Sequence, residues 1–452
     1  MDLEIINEGL WTLLFLPLYA CCGISLTVRC GFLPFRRFGK TLRMTLGEGE
    51  RQQSGLSPSQ AANTALAATV GTGNIIGTAQ AIAMGGPGAV FWLWTAAGLG
   101  MTIKYAEILH GLQDQGGAMG YIRAVLGRAP AGFYALLAVF SALIVGNMAQ
   151  MNGALGAICH AIGHEYPVLR PGLGVILVSL VGISIKGGAG RVGQIMERLI
   201  PVMTLSYLLV TSAVMIVFHS RILVVIRLIV KEAFHPRAIS GAALGKTIQW
   251  GLRRGSFSNE AGLGTAANIH AFVQTDRAPI HALWGILEVF TDTLVLCTAT
   301  ALAILCSGAP IPYGRLPGAE LLEGALAAIL GAGPAGIYVA AALLLFGIST
   351  VIGVYVSAYR CFRWLCGNKG EGVFQTIYLL FAFLGCILPL ELIWRASDWL
   401  NVLMACPNLL SLFILAPQTG KIVRDSFFRR TGTPPGKKAA AVSCPNGKNG
   451  VQ

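Results

Sequence analysis

Apolar residues in this chain come in long runs, and the charges fall almost entirely in the gaps between them. The runs cover about 9–29, 60–84, 88–110, 131–160, 172–186, 193–218, 241–271, 279–306, 334–360, 372–389 and 393–417. A helix needs about 20 apolar residues to cross the hydrocarbon of a bilayer, so the pattern predicts about eleven transmembrane helices and no sheet. The longest loops are 31–58, 219–240 and 307–333. In SRILVVIRLIVKEAFHP, residues 220–236, apolar positions recur every three or four residues among Arg221, Arg227 and Lys231. That spacing predicts an amphipathic helix on the outer membrane surface. The opening MDLEIINEGL is acidic, unlike the basic start of a cleaved signal, so the first run is read as a retained span. From Lys421 the chain turns basic and then low in complexity, which predicts a disordered tail.

Two of the runs are interrupted. In the second, Gly71-Thr72-Gly73-Asn74 places two glycines and two hydrogen-bonding side chains near the middle of a span. An unwound helix there exposes N–H groups at one half-helix end and carbonyls at the other, which favour an anion and a cation respectively. Gly73 is expected where the backbone turns and a ligand approaches, a position without room for a Cβ. Close helix packing through Gly71, Gly73 and Gly77 is the alternative use of the same composition. In the seventh run, Arg253, Arg254, Gly255, Ser256, Ser258, Asn259 and Glu260 sit in the middle of an otherwise apolar stretch. Buried ionisable groups are tolerated in membrane helices when paired or facing a cavity. The breaks lie about 185 residues apart and each opens a series of five spans, the pattern of an inverted-repeat transporter. The chain then divides into 1–58, an extra N-terminal helix with a cytoplasmic linker; 59–219, a first five-helix repeat; 220–240, the outer amphipathic segment; 241–417, a second repeat; and 418–452, the basic tail.

Composition sharpens the class. Hydrophobic residues make up 54% of the 452, charged residues 12%, and mean hydropathy is +0.66. Soluble proteins carry about 25% charge, so a soluble enzyme or a nucleic-acid reader is excluded. The net charge of +13 reads as topology. With the N-terminus outside, the inner segments hold 23 Lys and Arg and the outer segments seven. The C-terminus is then cytoplasmic. Eleven cysteines form no CxxC pair and serve as packing residues.

The stretches NTALAATVGTGNIIGTAQAIAMGGPGAVFWLWTAAGLGMTIKYAEI (63–108), GNMAQMN (146–152), RRGSFSNEAGLGTAANIHA (253–271) and LNVLMACPNLLSLFIL (400–415) resemble the alanine or glycine:cation symporter family. The resemblance runs from about residue 8 to 420. It implies a leucine-transporter-type fold of two inverted five-helix repeats behind one extra helix, and Na⁺-coupled uptake of small neutral amino acids. The chain departs from the family pattern at Gly116–Ile122, where GGPMYYI is usual, and at Gly264–Ala267, where a GSAP-type element is usual.

A zwitterionic amino acid needs donors for its carboxylate and acceptors for its ammonium group. The resemblance implies that the carboxylate lies on the first break at Thr72, Gly73 and Asn74. Gln150 and the carbonyls around Phe257 and Ser258, with Asn259 beside them, are candidates for the ammonium, and Phe257 for covering the substrate side chain. Gln150 could equally bond between helices, as Asn147 and Asn152 beside it could. The fold's shared cation site implies Na⁺ ligands at the Ala67 and Val70 carbonyls, the Phe346 carbonyl and the Ser349 and Thr350 hydroxyls. Each hydroxyl could instead bond the carbonyl one turn back.

Glu260, Glu288 and Asp292 are left unassigned among gate, second cation site, proton acceptor and ion-pair network with Lys246, Arg253 or Arg254. The expected activity is symport of a small neutral amino acid with Na⁺ as coupling ion, with proton coupling as the alternative and an amino-acid sensor as a different class. The seven histidines show no HExxH spacing and no nucleophile elbow occurs, so no enzyme is read. The expected setting is a bacterial inner membrane, with the protein working as a monomer and no nucleic-acid partner.

Overall fold

The structure is a computed structural model that describes residues 9–46, 55–162, 169–235, 242–367, 370–388 and 390–428. Every regular element among them is helical. The elements used below are α1 (Leu10–Arg29), α2 (Pro58–Thr69), α3 (Thr78–Gly85), α4 (Ala89–Gly111), α5 (Arg128–Leu143), α6 (Ala149–Ile162), α7 (Leu169–Ile185), α8 (Gly188–Val217), α9 (His219–Ala233) and α10 (Ala242–Asn259). They continue as α11 (Thr265–His270), α12 (Trp284–Val289), α13 (Thr298–Ser307), α14 (Glu320–Leu330), α15 (Ala332–Cys366), α16 (Glu371–Ile387) and α17 (Leu390–Val423). Six helices among the described residues are long and apolar enough to cross a membrane. Leu13, Val202, Leu209, Ile216 and Ile337 point outward from them at 63–80% exposure, the surface expected where lipid is the solvent.

The core forms around α15. Its 35 residues extend about 52 Å at 1.5 Å per residue, and α2, α5, α6, α8 and α14 pack along it. Small residues let the backbones approach. A Cβ on Gly353 would meet the Ala67 Cβ at 2.9 Å and the Ala68 nitrogen at 2.8 Å, so α2 lies directly on α15. Helix α10 is pressed onto α4 in the same way through Gly251 and Gly255.

The segment after Phe218 is helical from His219 to Ala233. It buries Val225, Ile229 and Ala233 and leaves Leu223, Val224 and Arg227 exposed. Arg221 donates to the Cys306 and Ser307 carbonyls, closing the end of α13. The last helix does not stop near 417. It continues through a π-helical turn, Arg424–Phe428, because Val423 and Phe427 bury against Cys30 and Leu33, and the Arg37 guanidinium lies 4.6 Å from the Phe428 ring. Residues 429–452, most of the expected tail, lie outside the described residues.

Candidate functional site

The first break lies where the GTGN motif predicts it, and its cause is local. Ser57 and Gln60 close a capping box that starts α2; at the far end Val70 takes φ −74°, ψ 89° and leaves the helix. A continuing helix would give the Gly71 N–H to the Ala67 carbonyl and the Thr72 N–H to the Ala68 carbonyl. Instead Asn74 Oδ1 accepts the Gly71 N–H at 3.0 Å, and Gln150 Oε1 accepts the Thr72 N–H at 3.1 Å and the Thr72 hydroxyl at 3.0 Å. The chain resumes as a π-helical turn, Gly73–Gly77, and then α3.

The glycine that needs to be a glycine is Gly71, not Gly73. A Cβ on Gly71 would sit 2.7 Å from Thr350 Oγ1 and 3.1 Å from Gln150 Oε1, whereas one on Gly73 would meet only Phe257 Cδ1 at 4.0 Å. Gly73 is not among the positive-φ glycines and faces the space shared with Phe257, so it is the turn before it that is crowded.

The second break falls later than the charge pattern suggests. Helix α10 runs unbroken through Arg253, Arg254, Gly255, Ser256, Phe257, Ser258 and Asn259. Gly255 is used for packing: a Cβ there would meet the Ala96 Cβ at 2.7 Å and the Leu93 carbonyl at 3.0 Å. The chain opens at Glu260–Gly264, where Glu260, Gly262 and Gly264 take φ of 53°, 95° and 77°, left-handed values that end a right-handed helix.

The two breaks meet. Asn74 Nδ2 donates to Ser258 Oγ at 3.2 Å and to Asp292 Oδ1 at 2.7 Å. Ser258 and Thr293 each donate to Asp292 Oδ2 at 2.8 Å, and Asn259 Nδ2 reaches Thr293 Oγ1 at 3.2 Å. One buried carboxylate thus ties the first break to the end of α10. Beside this knot lies a small cavity of about 20 Å³, lined by Thr69, Gly71, Gly73, Gln150, Phe257, Ser258, Glu260 and Thr350. The structure therefore collects Thr72, Gly73, Asn74, Gln150, Phe257, Ser258 and Asn259 around one place. Asn147 and Asn152 turn away and donate to the carbonyls of Tyr378, Gly385 and Leu388, so they tie α6 and the turn before it to α16.

The proposed sodium ligands also converge. Thr350 Oγ1 lies 3.3 Å from the Val70 carbonyl and 2.9 Å from the Phe346 carbonyl, and Ser349 Oγ lies 2.9 Å from the same Phe346 oxygen. The Ala67 carbonyl has lost its usual N–H partner to Asn74, as described above. Val70, Phe346, Ser349 and Thr350 thus bring four of the five expected oxygens together beside the cavity, which Thr350 lines; no hydrogen bond among the described residues links the Ala67 carbonyl to them. Both hydroxyls lie within hydrogen-bond distance of the Phe346 carbonyl one turn back along α15, the local bond that Ser and Thr commonly make in a helix.

Buried charged groups from α4 and α12 complete the second break. Lys104, one of the 23 Lys and Arg counted on the inner side, is 1% exposed within α4; without it the inner side still holds 22 against seven. Its Nζ donates to the Asn259 carbonyl at 3.0 Å and pairs with Glu288 at 3.3 Å. Glu288 thus pairs with Lys104 and with His270, at 2.7 Å, not with the seventh-run arginines. His270 in turn bonds His281 at 2.8 Å. Glu107, three residues after Lys104, accepts the Gly262 and Gly264 N–H groups at 2.9 Å each and Asn408 Nδ2 at 2.7 Å. A Lys and a Glu inside MTIKYAEILH were the available signal: a charge pair three apart in an apolar run marks a buried face. The two segments that depart from the family pattern pack on each other, with the Ala118 N–H donating to Asn268 Oδ1 at 2.9 Å and the Ala118 Cβ against Gly264.

A family model described as the sodium:alanine symporter family matches residues 2–436. The chain is 34% identical over 429 residues to the sodium/alanine symporter AgcS of Methanococcus maripaludis, covering 91% of this chain and 93% of that one. It is also 34% identical to the probable sodium/glutamine symporter GlnT of Bacillus subtilis, covering 93% and 89%. Among solved structures, MhsT in complex with L-phenylalanine superposes with a TM-score of 0.55 at 14% identity, covering 80% of this chain and 97% of that one. At that identity the likeness speaks for the fold.

Proposed function

From the premise that this chain belongs to the sodium:alanine symporter family, a family of transporters and not of enzymes, we propose that it carries a small neutral amino acid of the alanine–glycine class together with Na⁺. It does so as a monomer of eleven spans, arranged as two inverted repeats behind α1, in a bacterial inner membrane with the N-terminus outside. The reading rests above all on one observation: two broken helices face a single cavity, and the oxygens of Val70, Phe346, Ser349 and Thr350 border the same break.

The mechanism follows from that adjacency. The substrate carboxylate lies on the backbone at Thr72, Gly73 and Asn74, where the half-helix N-terminus attracts an anion. The carbonyls near Phe257 and Ser258 take part in holding the ammonium, and Phe257 covers the side chain. Na⁺, a hard cation that prefers oxygen, binds between the end of α2 and α15. Ion and amino acid then stabilise the same conformation of one broken helix, so each tightens binding of the other by an equal factor. Alternating access is the rocking of one repeat against the other around this fixed site. GlnT shares the family, so the preferred side chain is set by the residues around Phe257 and not by the family.

Counterflow of labelled alanine into proteoliposomes, with Na⁺ and pH gradients imposed separately, tests the proposal. Uptake should follow the Na⁺ gradient at constant pH. Equal uptake in choline buffer under a pH gradient alone would establish proton coupling instead.

A further inference from the structure

Glu260 stands apart from the buried acids at the second break, because its side chain is only partly buried and faces a cavity. Asp292 has Asn74, Ser258 and Thr293 as donors, Glu288 has Lys104 and His270, and Glu107 has two backbone N–H groups and Asn408. Glu260 has Thr265 as a hydrogen-bonding neighbour, but its Oε2 is buried without a hydrogen-bond partner among the described residues. Glu107 Oε2 and Glu288 Oε2 also lack one, yet neither residue lines a cavity, and Glu288 Oε2 has the Lys104 ammonium 3.3 Å away. Glu260 lines two cavities: the small one at the first break and a neighbouring one bordered by Tyr134, Ser141, Thr265 and Met404, each of about 20 Å³. It is the sole charged side chain among the residues lining them.

Its backbone is held there against a penalty. A non-glycine residue at φ 53° is disfavoured by its Cβ, and such strain persists where surrounding contacts enforce it. Here they do. Glu107 fixes the Gly262 and Gly264 N–H groups. Asn408 donates to both Glu107 and the Gly262 carbonyl at 2.7 and 2.8 Å. The Tyr134 hydroxyl donates to the Leu263 carbonyl at 2.8 Å. Glu107, Asn408 and Tyr134 thus act as positioning residues that aim Glu260 at the cavity.

A buried carboxylate oxygen facing a cavity calls for a cation. The oxygens at Val70, Phe346, Ser349 and Thr350 already offer a place to Na⁺, and Gln150 Oε1 is engaged by Thr72. We propose that the Glu260 carboxylate receives the ammonium group of the transported amino acid, with the cavity between the two breaks as the shared chamber. This deepens the functional reading above and rests on it. Substrate carboxylate and ammonium then lie on opposite breaks, so a bound zwitterion bridges the two halves, and a 2-hydroxy acid lacking the ammonium is rejected.

The test is alanine binding to purified full-length protein at saturating Na⁺, paired with the Na⁺-induced rise in melting temperature without amino acid. Glu260→Gln should weaken alanine about 10–100-fold, the scale of losing a charged hydrogen bond, and leave the Na⁺-induced rise unchanged. Unchanged alanine affinity overturns the proposal, and so does loss of the Na⁺-induced rise, which assigns the carboxylate to the ion. If Glu260→Gln fails to fold, Glu260→Asp keeps the charge but withdraws it by one methylene. It should then shift preference from alanine toward β-alanine, and an unchanged ratio overturns the proposal. A wild-type protein that binds no small neutral amino acid defeats the functional reading itself, before any variant is compared.

Discussion

Replacing Thr350 by Val isolates the hydroxyl that spans the gap between α15 and the first break. The two side chains have nearly the same shape, so the contact of α2 with α15 is preserved. What is lost is an oxygen 3.3 Å from the Val70 carbonyl and 2.9 Å from the Phe346 carbonyl. As a donor shared between two carbonyls it contributes about one net hydrogen bond, roughly 0.5–1.5 kcal/mol of stability, a modest fall in melting temperature. As a sodium ligand it has a different signature. Coupling between ion and amino acid is typically about 1–3 kcal/mol, a factor of roughly 5–150 in affinity. Alanine binding measured by calorimetry in Na⁺ and in choline should show a ratio in that range for the wild type. In Thr350→Val the ratio should fall toward one, with the affinity in choline unchanged because the substrate contacts are untouched. Adding Ser349→Ala should complete the loss. A Thr350→Val protein that keeps the full Na⁺ response refutes the assignment and moves the ion elsewhere, with the Asp292 shell next in line.

Gly71→Ala should lower the melting temperature, since its Cβ would press on Thr350 and Gln150 at 2.7 and 3.1 Å; Gly73→Ala, with 4.0 Å to its nearest neighbour, should keep the wild-type melting temperature, and the reverse order in a thermal-shift assay would contradict the geometry. Gln150→Ala removes the acceptor of the Thr72 N–H and hydroxyl and should lower alanine affinity more than melting temperature; a change confined to melting temperature would make Gln150 a structural tie. Lys104→Met leaves the buried Glu288 carboxylate without its ammonium partner and should destabilise by about 3–5 kcal/mol, read as a lower melting temperature in detergent. Adding Glu288→Gln should recover part of that loss, and no recovery would mean that Lys104 acts mainly through the Asn259 carbonyl.

Sequence alone determined the features whose causes are local. A run of about 20 apolar residues commits a segment to a membrane helix whatever its neighbours are. The first break was legible for the same reason, because Asn74 and Gly71 are three residues apart and the carboxamide caps its own chain. The adjacency of the hydroxyls Ser349 and Thr350 is a property of the sequence, whereas the approach of Thr350 to the Val70 carbonyl depends on α2 lying against α15. Only the tertiary structure decided the rest. Gly255 looked like a hinge, yet it is a packing surface because α4 lies against it. The hinge passed to Glu260–Gly264, where Glu107 and Asn408 hold left-handed backbone in place from helices 155 and 146 residues away. Lys104 looked like a loop cation because its partner, Glu288, is distant in the chain and adjacent only once α12 packs on α4. Composition announces that a charge is present in an apolar run. Whether it is paired, clamped or left facing a cavity is a property of the helices packed around it, and no single segment carries that information.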